Sequence, residues 1–290
     1  MDIVKLIPED EIIEIVSTLV SIESHKDSEQ RESMVAKYIK GLFDKEGIET
    51  NYEEVEKNRP NILGTLKGQS EEIYLMLNGH IDTVPGYTMD YDPYKPFIMN
   101  GNIYGRGSVD MKAGIAAMMA ALIAIKRSGV DLVKTVVFAG VIDEEERSKG
   151  TEHLIKKGLA PKNVIIAEPT ELRVCTTHKG MEWIQVEFLG KSTHGSRPQE
   201  GKNAVYMASE FCKLVHDELE PSIRDREFEL LGSGTINVGF IKGGTDPNIV
   251  PDSCIVQIDR RWLPNETLES IHDEIGNYAK ISADKYGGTY

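Results

Sequence analysis

Leu75-Met76-Leu77-Asn78-Gly79-His80-Ile81-Asp82 is an apolar run that ends in a His-x-Asp pair, and its reading decides the fold. A short apolar run of this kind suits an interior strand, and chemistry placed just past its end marks the edge of an open α/β sheet where ligands bind. Two further runs repeat the arrangement. Thr135 to Ile142 leads into Asp143-Glu144-Glu145-Glu146, and Val164 to Ala167 leads into Glu168-Pro169. Between them, Gly114 to Lys126 is apolar on all sides, as expected of a helix buried in a layered domain, so Met118 and Met119 are core fillers and not a ligand box. Gly105-Arg106-Gly107-Ser108-Val109-Asp110 sets one more carboxylate ahead of that helix.

Outward from this centre, two amphipathic helices open the chain. Ile12, Ile13, Val16, Leu19 and Val20 recur at helical spacing, as do Met34, Val35, Tyr38, Ile39, Leu42 and Phe43, with Gly47 as a stop. The grammar changes near residue 180. Ile184, Val186 and Phe188 alternate with polar residues, and Ile236, Val238 and Phe240 do the same, so each strand has one buried and one wet face. Helices carrying Ala204, Ala208, Cys212, Val215 and Leu219, and then Leu268, Ile271, Ile275 and Tyr278, accompany them. The expectation from these patterns is an α/β chain of two domains, a layered α/β domain over residues 1–178 and an α+β unit over residues 179–290.

The chain has 290 residues, with 33 Lys and Arg against 47 Asp and Glu, a net charge of −14. An acidic chain repels phosphate, so nucleic acid is excluded as a partner. No run approaches the roughly 18 apolar residues of a membrane span, and the first ten residues lack the order of a signal peptide, so the chain reads as cytoplasmic with no membrane partner. Cys175, Cys212 and Cys254 are odd in number and widely spaced, which fits neither a disulfide framework nor a thiolate zinc site.

A lone His is ordinarily a core or surface residue, and an acidic run is ordinarily a solvated turn. Four strand-end acid or His groups together repel one another unless a multivalent cation neutralises them. Imidazole with carboxylates suits zinc, cobalt or manganese. His80, Asp110, one of Glu144 and Glu145, and Glu168 can supply that set, leaving the other adjacent glutamate to handle protons.

Gly79-His80-Ile81-Asp82-Thr83-Val84-Pro85, Gly105-Arg106-Gly107-Ser108-Val109-Asp110-Met111-Lys112, Asp143-Glu144-Glu145 and Ala167-Glu168-Pro169-Thr170 resemble, in order and over essentially the whole chain, the zinc aminoacylase and carboxypeptidase family. That family includes succinyl-diaminopimelate desuccinylase, acetylornithine deacetylase and glutamate carboxypeptidase. The resemblance implies that residues 1–178 form a catalytic domain with a mixed sheet and helices on both faces, and residues 179–290 an inserted α+β sandwich that serves as lid and dimerisation domain. It also implies two divalent metals, zinc first and cobalt or manganese as alternatives, bridged by Asp110. His80 and Glu168 would complete the first metal's ligands and Glu145 would bind the second. Glu144 would be the general base toward a metal-bridging water, and Asp82 would hydrogen-bond the far nitrogen of His80. A cis peptide is expected at Asp110–Met111.

Gly190-Lys191-Ser192-Thr193-His194-Gly195-Ser196-Arg197-Pro198 is similar to the family's lid motif, whose His stabilises the oxyanion, and the lid implies a homodimer. Gly243-Gly244-Thr245-Asp246-Pro247-Asn248 is either a Gly-rich turn or, by resemblance, the loop whose Asn248 contacts substrate. Strand parity puts Arg260 with Cys254, Val256 and Ile258 on the apolar face and Arg261 on the open face, which makes Arg261 the better clamp for a substrate carboxylate. Gly105-x-Gly107 lacks the remaining residues of a nucleotide loop, and Ser192 and Ser196 stand in no serine-hydrolase motif.

The family normally draws a last metal-ligating His from a C-terminal stretch. His153, His178, His194, His216 and His272 all come too early for that role, so an incomplete C-terminus is expected, without the last lid strand and the closing catalytic segment. The function expected is a metal-dependent amidohydrolase removing an acetyl or succinyl group from an amino acid or diamino acid. The alternatives are a dipeptidase or carboxypeptidase of the same family, acting on a small peptide, or an inactive truncated member that keeps a single metal site.

Overall fold

Glu9–Ser21 (α1) begins directly after Pro8, and Glu9, Asp10 and Glu11 in its first turn oppose the positive end of the helix dipole. Ser33–Lys45 (α2) buries Val35, Ala36, Ile39 and Phe43 and is followed by Gly47 at φ 68°, a left-handed position that glycine takes without strain. Strands Glu49–Glu56 (β1), Arg59–Leu66 (β2) and Ser70–His80 (β3) come next, then a small hairpin of Phe97–Met99 (β4) and Asn102–Tyr104 (β5). Lys112–Ser128 (α3), Lys134–Val141 (β6), Lys149–Lys156 (α4) and Val164–Ile166 (β7) complete the first unit. The computed structural model describes residues 2–290. One compact unit ends at Arg173 and the other runs Val174–Tyr290, and the irregular chain up to residue 179 spans the boundary predicted at 178.

The first unit is built on a five-stranded sheet in the order β1-β2-β6-β3-β7. β1, β2 and β6 pair antiparallel, whereas β6, β3 and β7 run parallel, so the sheet is mixed as the resemblance implies. Alternate residues supply its two faces. Ile62, Leu66, Leu77 and Phe138 pack with the buried sides of α1, α2 and α3, while Leu63, Met76, Val137, Ala139 and Val141 pack with Leu154 of α4. Met118 and Met119 lie in the larger of these clusters. β7 differs from the interior strand predicted: it pairs only with β3 among the described residues, and Val164, Ile165 and Ile166 are 45–59% exposed.

The second unit contains Gly180–Leu189 (β8), Ala204–Leu214 (α5), Glu220–Arg224 (α6), the short pair Glu227–Phe228 (β9) and Gly232–Ser233 (β10), Thr235–Gly243 (β11), Ser253–Trp262 (β12) and Leu268–Tyr286 (α7). α5 continues through a π-helical turn, Val215–Leu219, into α6. β11, β12 and β8 form an antiparallel sheet in that order, and its Val186, Phe188, Cys254, Val256 and Ile258 pack against α5 and α7. Phe240 departs from the predicted alternation. A bulge between Val238 and Phe240 leaves Gly239 unpaired and sets Phe240 opposite Gln257, so the ring turns to the wet face and is 44% exposed.

Gly114, in the first turn of α3, packs so closely that a Cβ there would collide with the carbonyl oxygen of Ala167, the residue before Glu168. Backbone cannot swing aside as a side chain can. Gly114→Ala should cost about 1–3 kcal/mol of stability as an overpacking defect, read as a lowered midpoint in chemical denaturation.

Candidate metal centre

Three parallel strands deliver the site. His80 is the last residue of β3, Asp143-Glu144-Glu145 follow β6 by one residue, and Glu168 lies two residues beyond β7. Asp110 comes from the segment entering α3, and the Asp110–Met111 peptide is cis, as expected. In parallel strands the C-terminal ends share one edge, so residues far apart in sequence meet there.

His80 forms the floor of the cluster at 2% exposure, with the carboxylates standing higher around it. Its Nε2 is 3.0 Å from Asp110 Oδ1, 3.5 Å from Glu168 Oε1 and 3.9 Å from Glu144 Oε2. Donor atoms of His80, Asp110 and Glu145 all lie within 4.8 Å of one another. Two ligands each 2.0–2.1 Å from one tetrahedral zinc stand about 3.3 Å apart. The first two distances bracket that value, and one imidazole with carboxylates is a donor set that zinc, cobalt or manganese accepts. The residues present therefore fit a divalent metal.

On its other side, His80 Nδ1 lies 3.0 Å from the backbone oxygen of Asp82. A carbonyl oxygen only accepts, so Nδ1 carries the proton of that bond and Nε2 is turned toward the carboxylates. The Asp82 carboxylate, predicted to make this bond, is 3.6 Å from Nδ1. It accepts instead from the backbone N–H groups of Glu144, at 3.2 Å, and Glu145, at 3.0 Å. The Val84 N–H in turn donates to Glu145 Oε1 at 3.2 Å. Two loops thus hold one another by charge-assisted bonds.

Charge crowding shows in the acidities. Burial opposes the charged form of His80, but the bond to Asp110 and the fields of Asp82, Glu168 and Glu144 push its pKa up to about 9. Burial, with Asp110, Glu144 and Glu145 adding to it against His80, raises Glu168 to about 7. Burial also raises Glu145 and lifts Asp82 to about 6, while the His80 bond holds Asp110 below its ordinary value.

Several supporting side chains carry no sequence motif. Arg59 holds Glu32 and Asp143, and Asn61 accepts from Ile142 N–H at 3.0 Å while donating to Gly150 O at 2.9 Å. Lys112, quoted only as part of a motif, is fully buried and donates to Ile22 O at 2.7 Å; burial lowers its pKa to about 7, against the pull of Asp82. For Arg59 and Asn61 the sequence offers only the apolar pair Ile62-Leu63 that follows them, a sign of a strand and not of a supporting role.

The remaining predicted residues belong to the second unit. Gly195 N–H donates to Asn248 O at 2.7 Å, which joins the His194 and Asn248 loops. His194 Nδ1 accepts from Ser196 N–H at 3.2 Å and lies 2.8 Å from Ser196 Oγ, so Nε2 bears the proton of the neutral ring. Arg260 is fully buried and pairs with Glu266, whereas Arg261 is on the open face as parity predicts. The Arg261 fork is already engaged by Asp259, at 2.7 and 2.9 Å. A carboxylate ligand must use its remaining nitrogen or displace Asp259.

Residues 76–281 match the family model for peptidase family M20/M25/M40. Among curated proteins, a "probable succinyl-diaminopimelate desuccinylase" of Staphylococcus aureus (strain MSSA476) is 31% identical over 93% of this chain and 72% of its own length. An acetylornithine deacetylase of Aliivibrio salmonicida is 32% identical over 83% of this chain and 64% of its own. The solved structure of a tripeptidase from Staphylococcus aureus superposes with a TM-score of 0.75 at 22% identity, covering 98% of this chain and 74% of that one. No helix among the described residues is long and apolar enough to cross a membrane.

The crowded acids make a stability prediction for chelator-treated protein. Glu168 has a folded pKa above its unfolded value, so its contribution is complete below about pH 4.5 and is lost as pH rises through about 7. Glu168→Gln should flatten the fall of melting temperature between those limits and raise it at pH 8. It should also shrink the gain on adding zinc, since metal release and uptake act on these same ligands. Scanning fluorimetry with chelator or zinc at pH 5 to 8 reads both effects.

Proposed function

The chain belongs to peptidase family M20/M25/M40 and is a metal-dependent hydrolase, and from that premise we propose that it removes an N-acyl group, acetyl or succinyl, from an amino acid or diamino acid. The observation that carries the reading is the convergence of His80, Asp110, Glu145 and Glu168 with the Glu144 carboxylate 3.9 Å from His80 Nε2. The named activities of the two curated relatives support it. So does Glu168, since by the resemblance the desuccinylases, deacetylases and glutamate carboxypeptidases carry Glu at this position and the tripeptidases Asp.

In this proposal His80, Asp110 and Glu168 would hold one divalent ion, most suitably zinc, and Asp110 and Glu145 would serve a second. Bound metal would polarise the scissile carbonyl and acidify the attacking water. Glu144 takes a proton from that water as its oxygen attacks the amide carbon, and delivers it to the departing amine as the C–N bond breaks. The products are a carboxylic acid and a free amine, with atoms and charge in balance. Asp82 fixes the height of Glu144 and Glu145 through their backbone N–H groups. His194, with a proton on Nε2, is assigned to the developing oxyanion, and Asn248 and Arg261 to the substrate's polar groups. Three unpaired cysteines support a cytoplasmic setting, and a homodimer through the second unit is part of the same reading.

Glu144→Gln should retain its metal and lose turnover by about a hundredfold or more, whereas His80→Ala should lose the first ion. Metal analysis beside steady-state kinetics separates the two; wild-type turnover in Glu144→Gln would remove the general base. A panel of N-acetylornithine, N-succinyl-diaminopimelate and simple dipeptides tests the substrate class, and preference for the dipeptides would replace the deacylase reading with a peptidase one.

A further inference from the structure

Arg59 stands at the start of β2, which runs antiparallel to β6 with Ile62 opposite Gly140. Continued by three residues, that register brings Arg59 level with Asp143, the residue that starts the loop carrying Glu144 and Glu145. A strand running the other way thus sends its first side chain to the edge where the parallel strands end. All three guanidinium nitrogens donate. Nε and Nη2 fork onto Glu32 at 2.9 and 2.6 Å, Nη2 also donates to Asp143 Oδ1 at 2.8 Å, and Nη1 pairs with Glu56. Glu32 and Asp143 are each 2% exposed. Asp143 itself has φ 69°, and its carbonyl accepts from Ser148 N–H at 2.5 Å and Arg147 N–H at 2.9 Å, which closes the loop behind the two glutamates.

We infer that Arg59 is a positioning residue for the metal centre: by clamping Asp143 it sets where Glu144 and Glu145 stand relative to His80 and Asp110. Two buried carboxylates beside a third, Asp82, are tolerated only while a fixed cation pairs with them. Lysine carries the charge but not the planar fork, so it satisfies one carboxylate at a time. The inference rests on the metal-centre reading and concerns a residue that touches neither metal nor substrate.

The experiment compares wild type, Arg59→Lys and Asp143→Asn by zinc titration of the chelator-treated protein against a competing chelator, with kinetics on the best amide of the panel. Outer contacts of metal ligands are worth about 10–100-fold in metal affinity or activity. Both variants should show losses of that size in the weaker zinc affinity and in kcat, with KM within about twofold. Arg127→Lys, in a separate ion network with Glu11 and Glu46, is the control and should change neither. A lowered melting temperature with unmoved zinc affinity and kcat in the Arg59 variant would show a merely structural residue and overturn the inference. Should Arg59→Lys not fold, Asp143→Asn decides alone, since Asn tolerates the left-handed backbone there. Wild type that binds no divalent ion would instead overturn the metal-centre reading itself, a distinct result.

Discussion

Like charge held in a small space is the constraint on which the first unit depends. Asp110, Glu144 and Glu168 lie within 4 Å of one imidazole nitrogen, and Asp82 and Glu145 stand close by. Two unit charges 4 Å apart repel by about 4 kcal/mol at an effective dielectric constant of 20. Flexible loops would spread apart under that repulsion. Here Glu144, Glu145 and Glu168 follow the ends of paired strands and Asp110 leads into α3, Asp82 ties the Glu144 and Glu145 backbones, and α3 presses against Ala167. Rigidity of the scaffold keeps the acids gathered, and a cation of the right size then finds its ligands arranged.

The acids and His80 were legible in sequence because strand-end chemistry leaves a pattern: an apolar run and then a carboxylate. The strands of the first sheet and the buried α3 were legible for the same reason, since period and length separate strand from helix. What escaped was the support. Arg59 acts through a register between β2 and β6, and pairing partners distant in sequence are not written in either strand. The bond to His80 Nδ1 escaped differently, because the backbone oxygen of Asp82 reaches it before the carboxylate does.

In the second unit, parity sorted Arg260 from Arg261 correctly because β12 keeps its alternation from Cys254 to Arg260. It failed at Phe240, where one unpaired glycine shifts every later side chain of β11 to the other face. Periodicity arguments hold as far as the first bulge. The engaged fork of Arg261 is likewise invisible to parity, although Asp259 on the same face supplies its partner.

The turn between β1 and β2 consists of Lys57 and Asn58, and Arg59 follows at once. Hairpin tips are ordinarily where chains accept insertions and deletions. An added residue here that slipped the register of β2 would move Arg59 by about 3.3 Å and turn it to the opposite face of the sheet. The tip of a surface hairpin is thereby denied its usual freedom of length: descendants of this chain can vary what Lys57 and Asn58 are more readily than how many residues stand between Glu56 and Arg59.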